Sequence, residues 1–267
     1  MPPIRIIKIG GRVIEQPELL TEFLSDFARL AGPKVLVHGG GRNATQLAQR
    51  LGQEAKLIDG RRVTDDAMLE VVVMVYGGLL NKQIVSELQS LHCNALGMTG
   101  ADMNCIAAEK RPANPVDYGW VGDVQRVDAE VFRKLLEQGV VPVLAPLTHD
   151  GRGHLLNTNA DTIASRVAEA LAKSSSTELY YFFEKAGVLA DPTDDASVIA
   201  DLSEVDYRRG KEAGTIAAGM LPKLDNGFAA RRGGVKKVYI GHHRALSAIG
   251  TDSFNGTQLC LSPSLNN

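Results

Sequence analysis

Short runs of consecutive apolar residues alternate along this chain with longer stretches in which apolar positions recur every three or four residues. The runs predict strands over 4–9, 35–38, 95–99, 104–109, 118–124, 140–145, 178–183, 235–240 and 257–261. The amphipathic stretches predict helices over 17–31, 42–52, 65–91, 128–138, 159–173, 219–231 and 243–249. Strands separated by helices build a largely parallel sheet with helices on both faces, an α/β fold. Helix punctuation agrees: Asp128 is placed to cap a helix that Gly139 ends, and Gly32-Pro33 stops the first long one. The stretch Lys110-Arg111-Pro112-Ala113-Asn114-Pro115 breaks the rhythm and predicts a hairpin standing off the sheet, over a site.

The helix predicted over 65–91 is unusual, because Met68, Leu69 and Val71 to Val75 make its first half apolar on nearly all sides. A helix without a polar face is buried all round, inside a core or against another subunit, and a subunit interface is expected here. The short polar link Lys173-Ser174-Ser175-Ser176 predicts a division into lobes spanning 1–173 and 174–267.

Composition narrows the class. At 267 residues, with 44% hydrophobic and 22% charged positions, the chain is an ordinary globular protein with ample core. A net charge of −2 gives no footing for nucleic acid or a membrane surface, and 5% aromatics leave little to stack bases on. Cys93, Cys105 and Cys260 are odd in number and widely spaced, so they read as core residues in a reducing compartment rather than a disulfide frame or zinc site. No basic-then-apolar leader opens the chain, and no unbroken apolar run approaches the roughly 20 residues of a membrane span. A cytoplasmic protein is expected.

The chemistry lies in glycines. Lys8-Ile9-Gly10-Gly11 and His38-Gly39-Gly40-Gly41 each close a predicted buried strand. Glycine there lets backbone N–H groups approach an anion, and a following helix adds its positive end. One glycine pair could be only a tight turn, but a triple glycine costs entropy that a turn does not require. The His-Gly-Gly-Gly string also forms oxyanion holes in lipase-type hydrolases, yet no Gly-x-Ser-x-Gly elbow is present. The P-loop, the dinucleotide turn and the His-Arg-Asp and Asp-Phe-Gly strings are missing too. Lys8, beside a glycine turn, suits a cation aimed at phosphate. Lys223 follows Pro222 near a helix start, where the dipole does not favour a cation. In Asn157-Thr158-Asn159-Ala160-Asp161, Asn157 or Asn159 would cap the next helix, and Asp161 could also hold two lysines. Arg62, in Arg61-Arg62-Val63-Thr64, offers a bidentate grip on a carboxylate.

These pieces, with Gly214-Thr215-Ile216, Gly219-Met220-Leu221-Pro222-Lys223 and Tyr118-Gly119-Trp120-Val121-Gly122-Asp123-Val124, occur in an order that resembles the N-acetyl-L-glutamate kinases of the amino-acid kinase family. The resemblance covers about residues 4 to 261 and implies an open αβα sandwich, with an amino-acid-binding N-lobe and an ATP-binding C-lobe. It implies ATP-dependent phosphorylation of the γ-carboxylate of an N-acylated glutamate, acetyl or succinyl, as the second step of arginine biosynthesis. Lys8 and Lys223 would stabilise charge on the phosphoryl group, with Asp161 orienting both. Arg62 and Asn157 would hold the substrate's carboxylate. Gly10, Gly11, Gly40 and Gly41 would supply backbone donors to the phosphates. Where the family carries an Asp-Val-x-Gly turn against the nucleotide, this chain reads Phe183-Glu184-Lys185-Ala186-Gly187-Val188-Leu189, with Glu184 keeping the charge, Gly187 the turn and Leu189 closing it. Mg²⁺ would ride on phosphates and waters, with no protein metal site. A non-catalytic arginine sensor on the same fold would not need the paired lysines. Arginine-inhibited members carry an extra N-terminal helix. Met1-Pro2-Pro3 is too short for one, so a homodimer insensitive to arginine is expected.

Overall fold

Period-two alternation within the buried strands decides which face of the sheet each side chain covers. The computed structural model describes residues 2–58, 60–191, 193–216, 218–251 and 254–261, so Met1 and 262–267 of the expected lobes lie outside it. Its strands are β1 (Ile4–Ile9), β2 (Lys34–His38), β3 (Leu57–Ile58), β4 (Arg61–Arg62), β5 (Ala95–Met98), β6 (Ile106–Lys110) and β7 (Gly122–Val127). They continue with β8 (Val141–Leu144), β9 (Leu147–His149), β10 (Leu155–Asn157), β11 (Thr177–Phe183), β12 (Asp201–Ser203), β13 (Lys237–His242) and β14 (Gly256–Cys260). The α-helices are α1 (Arg12–Glu15), α2 (Pro17–Arg29), α3 (Gly41–Arg50), α4 (Asp66–Val72), α5 (Asn81–Ser90), α6 (Ala129–Glu137), α7 (Ala160–Ala172), α8 (Glu204–Glu212) and α9 (Leu221–Arg232).

Eight strands form one sheet in the order β12-β14-β13-β11-β1-β2-β8-β5, parallel throughout except between β13 and β14. Ile4 and Ile6 of β1, Val35 and Val37 of β2, and Leu179 and Tyr181 of β11 face a core cluster with residues of α6, α7, α8 and α9. Ile7, Ile9, Leu36, Tyr180 and Phe182 face the other cluster, with residues of α2, α3, α4 and α5. Lys8 shares the parity of Ile6 and so lies on the α7 side. His38 shares that of Leu36 and lies on the α5 side. A second sheet, β10-β9-β6-β7, stands beside the first, and β6 and β7 form the expected hairpin. Its strands run to Lys110 and from Gly122, so the 118–124 run enters β7 only at its end.

The long helix departs from expectation. It runs from Asp66 to Ser90, but Val73–Leu80 between α4 and α5 is a π-helix. The looser i→i+5 bonding turns Tyr76, Leu80 and Asn81 into the protein, while Met74 and Leu79 are about half exposed. By length and composition this helix is also long and apolar enough to cross a membrane, although its apolar positions do not form one unbroken run. Met68, Val71, Val72, Val75, Ile84 and Leu88 on it are buried in the core cluster. That is the setting of a core helix with one open apolar strip.

Candidate active site

β1 and β2 are neighbours that run the same way, so the turns after Ile9 and His38 emerge side by side at the carboxyl edge of the sheet. This edge is where open α/β sheets bind ligands. A side chain on Gly39 would touch the Gly10 backbone at 3.7 Å, which measures how near the two glycine turns lie. Gly11 has φ +59° and sits under the Glu184 carboxylate at the end of β11; a Cβ there would lie 2.9 Å from Oε2. Gly40, at φ +149°, is wedged on Tyr76 and Leu80 of the π-segment, where any Cβ would meet Leu80 at 2.5 Å. Both positions therefore require glycine.

Asn159 caps α7 by accepting from the N–H groups of Asp161 and Thr162, which fixes Asp161 in the first turn. The Asp161 carboxylate is buried and lies between two ammonium groups. Lys8 Nζ is 2.7 Å from Oδ1, and Lys223 Nζ donates to Oδ2 at 3.0 Å. Burial alone would raise the Asp161 pKa, but Lys8 and then Lys223 outweigh it and hold the carboxyl down to about 2. Burial lowers the Lys8 pKa, with Asp161 opposing that shift and Lys223 adding to it. The direction that decides the charge state is that of Asp161. Ionised between two cations, it fixes their heads at the edge of the glycine turns. Lys8 also folds over Gly10, where a Cβ would stand 2.7 Å from its ammonium.

Beside this cluster lies a cavity of about 210 Å³, lined by the Gly39–Gly41 turn, Arg62, Arg111, Asn157 and Thr162 among others. It gathers Gly40, Gly41, Arg62 and Asn157 but not Lys8, Asp161, Lys223, Gly10, Gly11, Glu184, Gly187 or Leu189. Ala160 and Thr162, on either side of Asp161, join the two zones. Arg62 is buried and donates to the Gly41 carbonyl and to Thr45 Oγ1, both at 2.8 Å. Asn157 donates to Thr64 Oγ1 at 2.9 Å. The hairpin closes the cavity from above. Arg111 is ion-paired with Asp123 and lies over the Tyr118 ring, and the Trp120 backbone N–H donates to the Thr64 carbonyl.

Gly187 and Leu189 lie on the stretch that follows β11. Gly187 packs against Thr257, whose hydroxyl accepts from the Val188 N–H at 2.8 Å, and Leu189 bridges to Val198. This stretch braces β11 on β14. Lys185 pairs with Asp195 at 2.6 Å.

Thr45, Tyr76 and Asn81 belong to none of the motifs that mark the site in the sequence. Asn81 carried a readable signal, an amide directly after an apolar decad. Among the described residues no group of three or more His, Cys, Asp or Glu side chains is placed to hold a metal ion.

Residues 3–242 match the model of the amino acid kinase family. The acetylglutamate kinase of Parabacteroides distasonis is 55% identical over 240 residues, 90% of this chain and 94% of its own. That of Cytophaga hutchinsonii is 51% identical over 261 residues, 97% of this chain and 99% of its own. Carbamate kinase from Giardia lamblia, solved with AMP-PNP, shares the fold with a TM-score of 0.73 at 14% identity, covering 97% of this chain and 99% of its own. With its parallel sheet, paired glycine turns and these full-length likenesses, the chain belongs to the amino acid kinase family.

Proposed function

We propose that this chain transfers the γ-phosphoryl group of ATP to the γ-carboxylate of N-acetyl-L-glutamate, the carboxyl-activating step toward arginine. The observation that carries the reading is Asp161 held between Lys8 and Lys223 beside two glycine turns. Phosphoryl transfer asks a protein for positioning and for neutralisation of spread negative charge. Lys8 and Lys223 supply the cations, Asp161 sets their spacing, and the N–H groups of Gly10, Gly11, Gly40 and Gly41 face the phosphates. The substrate carboxylate is ionised at neutral pH and attacks without a general base. Arg62 and Asn157 hold the substrate at its other carboxylate, and the β6–β7 hairpin closes over its acyl group.

Glu184 stands at the nucleotide side, and Gly187 to Leu189 keep its strand end in place. Mg²⁺ would ride on the phosphates and waters, as is usual for this ion. When bound, it screens phosphate charge. The likeness to proteins named acetylglutamate kinase supports both substrates. Residues 1–173 form the substrate lobe and 174–267 the nucleotide lobe. The strip at Met74 and Leu79 supports a two-fold homodimer, which light scattering at twice the 28.7 kDa chain mass tests. Three free cysteines suit a reducing, cytoplasmic setting.

Steady-state rates with N-acetyl-L-glutamate, N-succinyl-L-glutamate, free glutamate, aspartate, carbamate and UMP, side by side, test the assignment. The N-acetyl compound is expected to give the highest kcat/KM. A preference for any unacylated substrate overturns it.

A further inference from the structure

Three glycines in a row form the most freely moving backbone a turn can have, yet the Gly40 and Gly41 N–H groups must be aimed closely to act on a phosphoryl group. What restrains the turn is therefore part of the site. Arg62 holds the Gly41 carbonyl, and Tyr76 and Leu80 wedge Gly40. The Gly39 N–H donates to the Ile9 carbonyl and the Gly40 carbonyl accepts from the Ala44 N–H, both at 3.0 Å. A further restraint acts on the Gly39 carbonyl, which lies 2.8 Å from His38 Nδ1. A carbonyl only accepts, so Nδ1 carries the proton.

The other ring nitrogen is equally constrained. His38 Nε2 lies 3.2 Å from Asn81 Nδ2, an amide nitrogen that only donates, so Nε2 is bare. The Asn81 amide cannot be reversed. Its Nδ2 also donates to the Val143 carbonyl at 2.9 Å, and its Oδ1 accepts from Lys82 Nζ at 3.1 Å. Lys82 in turn reaches the Gly97 carbonyl at 3.2 Å, tying the amide to the edge strand β5. Asn81 is 1% exposed and every polar atom of its side chain is satisfied. Such an amide inside an apolar core is retained for what it specifies.

We propose that Asn81 and His38 are positioning residues for phosphoryl transfer, Asn81 fixing the His38 tautomer so that its Nδ1–H pins the Gly39–Gly40 peptide. In a trans peptide the N–H points away from the C=O, so anchoring the Gly39 carbonyl on His38 turns the Gly40 N–H to the opposite side. The π-segment delivers this arrangement, because it brings Tyr76, Leu80 and Asn81 to bear on one turn. The inference rests on the kinase reading given above.

The titratable groups on this wall are Tyr76, Arg62 and, beyond the Asn81 amide, Lys82. Ile9 and Val143, on the flanking strands, carry none. Burial pushes the His38 pKa down to about 4, so the ring is neutral across the working range.

Asn81→Asp tests the assignment with an isosteric change. At high pH the ring proton moves to Nε2 to meet the carboxylate, and bare Nδ1 then repels the Gly39 carbonyl. At lower pH the ring takes a second proton and both bonds return. The variant is expected to lose roughly 10–100-fold in kcat at pH 8, with KM for N-acetyl-L-glutamate within about threefold, and to recover toward pH 6. A folded variant with the parent's kcat, or with the parent's pH profile, overturns the proposal. ¹⁵N NMR of His38 in the unaltered chain at pH 7 decides independently of activity and of whether the variant folds. A neutral ring protonated at Nδ1 is expected, and an Nε2-protonated or charged ring overturns the proposal. Absence of kinase activity in the parent would instead strike the functional reading and leave the tautomer result standing.

Discussion

Lys8 and Lys34 lie on adjacent strands of the same sheet and are almost equally buried, at 6% and 5% exposure. They sit at opposite ends. Lys34, at the amino end of β2, donates to the carbonyls of Phe27, Ala28 and Leu30 at 2.6, 3.0 and 2.6 Å. Those carbonyls close the C-terminus of α2, where that of Phe27 also accepts from the Leu30 N–H at 3.2 Å, so the ammonium completes a helix end. Lys8, at the carboxyl end of β1, pairs among the described residues only with Asp161, whose charge it shares with Lys223. Burial lowers the pKa of both lysines. Burial therefore does not separate a structural lysine from a functional one. What separates them is whether the ammonium is saturated by backbone or shares one carboxylate with a second ammonium at the carboxyl edge of the sheet.

Replacing each lysine breaks the comparison most sharply. Lys8→Ala and Lys223→Ala are each expected to lower kcat by roughly 100-fold or more, with modest change in KM, because their charge is needed only as the phosphoryl group moves. Lys34→Met is expected to leave kcat and KM unchanged. Equal loss of turnover from Lys34→Met would erase the distinction.

The next effect is on stability. Lys34→Met strips the Ala28 and Leu30 carbonyls of this donor and is expected to cost about 1–3 kcal/mol in urea unfolding. No measurable loss would show that water replaces the ammonium there.

The smallest effect lies in acid. Asp161 has a folded pKa of about 2 against an ordinary 3.8, so its stabilisation is complete above about pH 4 and fades as pH falls through 2. Its full size is on the order of 2 kcal/mol. Urea midpoints between pH 5 and 2 should fall less steeply for Asp161→Asn than for the parent. Identical slopes would mean that the carboxylate is not held by the two lysines.

The sequence made one end of this comparison legible and hid the other. Lys8, the glycine turns and Asp161 could be read because each is anomalous where it stands, a charge or a glycine run closing an apolar strand. The main sheet could be read because strands buried on both faces are apolar throughout. Lys34 looked like any polar residue before a strand, since its partners belong to a helix end that forms only on folding. The π-segment was invisible because its register is set by packing against Gly40 and the sheet. The His38–Asn81 bond joins residues 43 apart, and no local pattern marks it. α8 was missed because Tyr207 is its one buried residue, and β9, β10 and β12 are three residues each.

The cluster of Lys8, Asp161 and Lys223 is proposed to make an acyl phosphate. Trapping with hydroxylamine tests it most directly, since an acyl phosphate is captured as a hydroxamate. Hydroxamate is expected to form in step with ADP, only when ATP and N-acetyl-L-glutamate are both present. ADP release that ignores N-acetyl-L-glutamate, or a reaction that yields no hydroxamate, would contradict it.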